Sequence, residues 1–170
     1  GIDLGTTNTA VSSVATSTLS EDAPPEVVDF PVLQLTQPGT LLPRPGLPSF
    51  MYLASSTELP EGSMDLPWAS SRTFMTGVAA RERGAQVPLR MVSSAKSWLC
   101  HSGVNRRDPI LPYQAPPEVE KLSPVAVAST LLQHLKDAWD AEHPDAPLQD
   151  QTMYLTVPAS FDAAARDLTV

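Results

Sequence analysis

Apolar and polar positions alternate in short blocks at the start of the chain. Ile2 to Leu4 and Thr9 to Val14 predict two short strands, joined by the tight polar segment Gly5-Thr6-Thr7-Asn8. Glu26 to Phe30 and Val32 to Leu35 are also strand-like, with Pro31 between them marking an edge position or a break. Ser, Thr, Pro and Gly dominate from Thr16 to Pro25 and from Thr36 to Pro48, which predicts two loops. Phe50 to Leu53 is a further strand, followed by a polar connection holding Pro60, Gly62 and Pro67. The helical period begins after Gly77. Val78 to Arg83 predicts a short helix ending near Gly84, and Val92 to Leu99 a second with Gly103 beyond it. The strongest helix follows Ser123, an N-cap, with Pro124 at its first position. Val127, Leu131, Leu135, Ala138 and Trp139 form its apolar face, and Pro144 stops it. Met153 to Val157 predicts a buried strand ended by Pro158, after which Asp162 caps a last helix in the stretch from Phe161 to Val170. No repeat is visible, and the order of elements predicts a mixed α/β layer architecture.

Composition narrows the classes. The 170 residues suffice for one compact domain or one domain plus part of a second. With 42% hydrophobic and 18% charged residues, the chain belongs with globular rather than disordered sequences. Eleven basic against 19 acidic residues give −8, a sign that repels phosphate backbones and anionic lipid, so neither nucleic acid nor membrane is an expected partner. Cys100 stands alone, which excludes an internal disulfide and fits a reducing compartment. No apolar run approaches a bilayer span and no signal peptide is present, so a cytoplasmic protein is expected. Prolines number 18, about twice the usual share of roughly 5%, and they cluster in the connections as stiffened loops. Gly1 in place of Met, and a last helix that stops in its second or third turn, lead us to expect a truncated piece of a longer protein.

The first turn carries the best candidate chemistry. A hairpin-like turn over Asp3 to Asn8 can aim several backbone N–H groups at one spot, making a nest for anionic oxygens. Gly5 removes the Cβ that would hold a phosphate away, and the Thr6 and Thr7 hydroxyls add donors. Asp3 could hold Mg²⁺ through water, since that ion dehydrates reluctantly and usually takes only one or two carboxylates. By local pattern alone, an ordinary polar hairpin with a turn-stabilising aspartate explains the segment equally well. The segment is neither a P-loop nor a G-x-G-x-x-G fingerprint, because the glycine spacing and the terminal lysine are missing.

Gly1-Ile2-Asp3-Leu4-Gly5-Thr6-Thr7-Asn8-Thr9 resembles the first phosphate loop of the actin-like ATPase superfamily, which includes chaperones, sugar kinases and filament proteins. Thr156-Val157-Pro158-Ala159-Ser160-Phe161-Asp162, followed by Arg166, is similar to the strand–proline–helix junction of the 70-kDa heat-shock (DnaK-like) chaperones. Pro48-Ser49-Phe50, Gly77 to Ala80, Ala95 to Leu99 and Leu122-Ser123-Pro124 fall between these anchors in that family's order, so the resemblance covers residues 1–170. It implies a ribonuclease-H-like lobe of an actin-type ATPase domain, a mixed sheet flanked by helices. Residues 1–35 and 119–170 would form its core subdomain and 36–118 a small inserted one, with a second lobe and a substrate domain outside these residues.

The resemblance also implies roles. Gly5, Thr6, Thr7 and Asn8 match positions that contact the β- and γ-phosphates of ATP or ADP, and Asp3 matches an aspartate near the Mg²⁺ shell. Lys96 matches a lysine that reaches the γ-phosphate and helps place the attacking water, a task suited to a compact point charge. Read without the family, Lys96 is a solvated lysine on an amphipathic helix. Pro158 and Arg166 match residues that couple nucleotide state to a peptide-binding domain. Read alone, the proline ends a strand and the arginine pairs with Asp162 or Asp167. The full-length protein would hydrolyse ATP to grip and release unfolded peptide clients with co-chaperones. The second phosphate loop, a further acidic residue near the metal and the adenosine pocket belong to the second lobe, so this chain alone is expected to bind ATP weakly and turn it over negligibly.

Other residues offer less. His101, His134 and His143 lack metal-ligand spacing, and the last two are expected on the solvent side of the long helix or at its end. Cys100 has no motif-paired histidine, Arg106-Arg107 reads as a solvated basic spot, and Trp98, Trp139 and Phe161 read as packing. Thr16 to Pro48 and Ala54 to Thr76 look longer than the family usually carries, and Cys100-His101-Ser102 replaces a basic run. Those departures suggest a divergent member. A sugar or glycerol kinase, a filament-forming actin relative, or a degenerate member kept as a binding module are the rival expectations.

Overall fold

The computed structural model describes residues 1–20, 23–158 and 161–168. Ala159 and Ser160 of the strand–proline–helix junction, and Thr169 and Val170 of the expected last helix, lie outside the described residues. In chain order the strands are β1 (Ile2–Leu4), β2 (Asn8–Ser13), β3 (Val28–Asp29), β4 (Pro31–Gln37), β5 (Thr40–Pro45), β6 (Leu47–Pro48), β7 (Met51–Leu53), β8 (Phe74–Thr76), β9 (Met91–Val92) and β10 (Leu155–Thr156). The helices are α1 (Val78–Gln86), α2 (Ala95–Leu99), α3 (Pro124–Glu142) and α4 (Ala163–Asp167). The fold is mixed α/β.

The main sheet runs β10-β1-β2-β3, with β6 also pairing β2. β1 is antiparallel to β2, with Ile2 opposite Val11 and Leu4 opposite Thr9, and parallel to β10, with Asp3 opposite Thr156. Directly opposed residues share a face. Ile2, Leu4, Thr9 and Val11 are buried, whereas Asp3, Ala10 and Thr156 are exposed, so the sheet has one packed and one open face.

α3 covers the packed face. The Ser123 hydroxyl accepts from Ala126 N at 3.1 Å, Pro124 occupies the first turn, and the helix ends ahead of Pro144. Its buried stripe, including Val127, Leu131, Leu135, Ala138 and Trp139, packs with Ile2, Val11, Phe30 and Leu47. Met51, Val92, Ala95 and Leu111 join the same cluster, so one core runs through the sheet, α3 and the 47–111 region. A second cluster holds Leu35, Tyr52, Leu66, Met75, Ala79 and Ala80, around the three-stranded sheet β8-β7-β9 and α1.

Several elements differ from the sequence expectation. Thr36 to Pro48 is no loop: β4 and β5 form a hairpin turning at Gly39 (φ 75°), and β6 then joins the main sheet. Pro43 and Pro45 masked it, yet a two-stranded ribbon has only edge strands, where a missing N–H costs little. The expected helix over Val92 to Leu99 splits. β9 ends at Val92, Ser94 adopts φ 56°, and only Ala95–Leu99 is helical. α1 passes through Gly84 to Gln86, and Gly84 serves packing rather than termination, since a Cβ there would overlap the Met91 side chain arriving from β9. Of Glu26 to Phe30, only Val28–Asp29 forms a strand, with Phe30 N donating to Val11 O just beyond it, and Val27 is exposed. The strand expected over Met153 to Val157 contracts to Leu155–Thr156, with Met153 and Tyr154 exposed rather than buried.

Gln34 organises the junction of β4 with α1. Its Oε1 accepts from Val78 N at 3.0 Å, capping α1 from 44 residues away, and its Nε2 donates to Gly46 O at 2.8 Å. Gly77 (φ 77°) precedes the helix because any Cβ there would overlap Gln34 Oε1 and Leu47. Among the described residues, no helix is long and apolar enough to cross a membrane.

Candidate functional site

The turn between β1 and β2 is closed by glycine and braced by serine. A Cβ on Gly5 would collide with the Asn8 carbonyl oxygen, so the turn tolerates no side chain there. Ser49, just after β6, donates from Oγ to Gly5 O at 2.8 Å and from N to Thr7 O at 2.8 Å. With its one hydroxyl proton committed, Ser49 Oγ accepts from Thr9 Oγ1 at 2.9 Å. Thr9 and Ser49 are buried. Two carbonyls of the turn are thus drawn towards the protein. The exposed Thr6 and Thr7 donate no amide hydrogen bond among the described residues. That is an arrangement able to receive an anionic oxygen. Asn8, the fourth candidate, is exposed at the start of β2.

Asp3 sits on the open face one residue before Leu4, and Thr156 Oγ1 donates to its Oδ1 at 2.6 Å. That bond fixes one oxygen and leaves Oδ2 uncommitted. No cluster of three or more His, Cys, Asp or Glu side chains suited to a metal occurs among the described residues. Lys96 lies on α2 and is half-buried, and its ammonium joins no ion pair among the described residues. Leu99, one turn on, shares a cluster with Leu4, Ala128, Phe161 and Ala165, which seats α2 against the strand leading into the Gly5 turn. Leu4 and Asp3 point to opposite faces, and Asp3 and Lys96 form no pair.

Pro158 and Arg166 are linked through Phe161, whose N donates to Pro158 O at 3.0 Å and whose O accepts from Arg166 Nε at 3.2 Å. Neither Asp162 nor Asp167 pairs with Arg166. Asp162 instead caps α4, accepting from Ala165 N at 2.7 Å, and receives two bonds from Arg106 at 3.0 and 2.6 Å. Arg106 foremost, and then the Ala165 amide, hold the Asp162 carboxyl below the usual carboxylate range. Arg106 is therefore a fixed partner rather than a solvated basic spot. Its spacing of 56 residues from Asp162 left no local signal.

His134 corrects a sequence expectation. It faces the interior of the molecule, only 4% exposed, and bridges α3 to two strands. A carbonyl can only accept, so Nε2 donates to Leu33 O at 2.9 Å and Nδ1 accepts from the Thr76 hydroxyl at 2.8 Å. Burial foremost, with the nearby Arg72 charge adding to it, pushes its pKa down to about 4. In the second cluster, Tyr52 donates to Glu58 Oε1 at 2.6 Å and Arg83 Nε donates to the same oxygen at 2.8 Å. Burial first, then that bond, lifts the phenol to about 12. Cys100 is exposed at the C-cap of α2, and its Sγ donates to Lys96 O. Trp98 packs between His101 and Tyr113, with ring centres at 5.5 and 5.0 Å.

Compared with known proteins, the chain matches no family model and no curated relative. Its functional reading therefore rests on the turn and on the motif resemblance.

Proposed function

We propose that this chain is the first lobe of an actin-like ATPase domain from a divergent 70-kDa heat-shock-type chaperone, with a ribonuclease-H-like core. One observation carries the reading: the glycine-closed turn whose carbonyls are engaged by Ser49 while the Thr6 and Thr7 amides stay uncommitted. Phosphoryl transfer depends mainly on positioning and charge stabilisation, and free backbone donors in a braced turn supply both. The mixed sheet, with a parallel strand beside β1 and a long helix on its packed face, is compatible with such a lobe.

In this reading Gly5, Thr6, Thr7 and Asn8 cradle the β- and γ-phosphates. Mg²⁺, when bound, neutralises charge on the phosphates. Asp3 offers one free carboxylate oxygen, which fits a hexahydrate-like ion held through water rather than an all-protein cage. Lys96, unpaired on the helix packed near Leu4, supplies the positive charge for the terminal phosphate. Pro158 and Arg166 carry the nucleotide state onwards through the Phe161 backbone.

Titration of Mg-ATP into the ¹⁵N-labelled chain tests the site. Amide shifts should centre on Gly5 to Asn8, and their absence at millimolar nucleotide overturns the reading. In the complete nucleotide domain, Lys96→Ala should slow single-turnover hydrolysis roughly a hundredfold. An unchanged rate would favour a degenerate binding module.

A further inference from the structure

A concave site that shares no residue with the turn lies between the 66–74 segment and α3. It is a cavity of about 410 Å³, lined by Leu66, Trp68 and Arg72 from that segment and by Gln133, His134 and Asp137 from α3. Pockets of roughly 300–1,000 Å³ with an apolar wall and a few convergent polar groups are the usual form of a small-molecule site.

The two charges in it are unspent. The Arg72 guanidinium stacks 4.5 Å over the Phe74 ring, which fixes its plane. Of its five N–H donors, one is used among the described residues, from Nη1 to Met64 O at 3.3 Å. Among the described residues no buried polar side-chain atom lacks a partner, so the remaining guanidinium nitrogens open onto accessible space. Burial pushes Arg72 down to about 10, and Asp65 and Asp137 attract it without closing an ion pair. Asp137 accepts from Gln133 Nε2 at 2.7 Å through Oδ1, which leaves Oδ2 free. A cation and an anion thus line one cavity with neither neutralised by contact. A purely anionic ligand would meet Asp137 and a purely cationic one would meet Arg72. A ligand carrying both signs satisfies both.

We propose that this cavity binds a small zwitterion with an aromatic body, in the simplest case an aromatic α-amino acid. Its carboxylate would lie on Arg72, its ammonium on Asp137 and its ring against Trp68 and Leu66. The proposal is independent of the nucleotide reading, because it uses none of the turn residues.

L-Phenylalanine is the probe, with 3-phenylpropionate and 2-phenylethylamine as analogues lacking one charge each. Binding is read from the Trp68 indole N–H resonance, assigned by Trp68→Phe. Phenylalanine should produce a saturable shift there and leave the Thr6 and Thr7 amides unmoved. Each analogue, and each of Arg72→Gln and Asp137→Asn with phenylalanine, should weaken Kd at least about tenfold, as expected for losing a charge-assisted hydrogen bond. No saturable shift with phenylalanine, or equal affinity for 3-phenylpropionate, overturns the proposal. Should circular dichroism show Arg72→Gln unfolded, Asp137→Asn decides: unchanged phenylalanine affinity in that variant is equally fatal.

Discussion

The Gly5 turn and the His134–Arg72 region are built in opposite ways. The turn presents backbone groups from four consecutive residues at the surface, and its distant support comes from Ser49 and from the pairing of Asn8 with Pro48. The His134 region has no backbone motif. It gathers Leu33, Thr76, Arg72 and Asp137 around a buried imidazole, from segments up to 101 residues apart. The first kind of site depends on a local conformation, which one added carbon can destroy. The second depends on packing and on which side chains are charged, so it responds to pH. The two should therefore fail separately and under different insults.

Substitution at the turn should give the largest effect. Gly5→Val places carbon atoms where the Asn8 carbonyl oxygen now lies, and should cost about 4 kcal/mol in chemical denaturation. It should also abolish the Mg-ATP shifts while the Trp68 indole resonance stays in place. A change at both would mean that turn and cavity are one cooperative unit.

Acid should act on the other region. His134 is neutral when folded, with a pKa of about 4 against an ordinary 6.5, so the unfolded chain takes up the proton first. Stability from this group is fully present above about pH 6.5 and declines as pH falls to about 4. The loss should be about 3 kcal/mol over that window and level off below it. Urea midpoints at pH 7, 5.5 and 4.5 measure it, and His134→Gln should remove about one proton's worth of the slope. If that variant keeps the wild-type slope, the imidazole is not the group responsible.

Ser49→Ala sharpens the contrast from the turn's side. It removes the hydroxyl bonds to Gly5 O and Thr9 but retains the Ser49 N–H bond to Thr7 O, so a loss of about 2 kcal/mol is expected. Exchange of the amide at position 49, which donates to Thr7 O, should rise more than that of Leu135. The smallest effect should come from Ser123→Ala, which touches neither site and removes the α3 cap for about 1 kcal/mol. It calibrates the others, and a larger loss there would show that α3 limits both regions.

What could be read in advance follows the same division. Ser123 and Asp162 were legible as caps because a cap is a contact over three residues. The stripe of α3 was legible from its period, and the turn from Gly5 and its neighbours. The β4–β5 hairpin was not, because its prolines look like loop punctuation until the ribbon is seen to have no central strand. The burial of His134 follows from the same period, three residues after Leu131 and four before Ala138, but nothing local showed that Thr76 and Leu33 would supply partners for both ring nitrogens.

The sequence by itself determined the Ser123 and Asp162 caps, the α3 face, the strands flanking the turn and the demand for glycine at position 5. Each of these is set by residues within a few positions of one another. Only the tertiary structure decided that Ser49 restrains the turn, that Gln34 caps α1, that Arg106 holds Asp162, and that Arg72 and Asp137 share a cavity. Those pairings link residues 44 to 65 apart, and chain closure over such spans leaves no periodicity to read. Burial then decides which polar groups must find a partner and which remain open to a ligand.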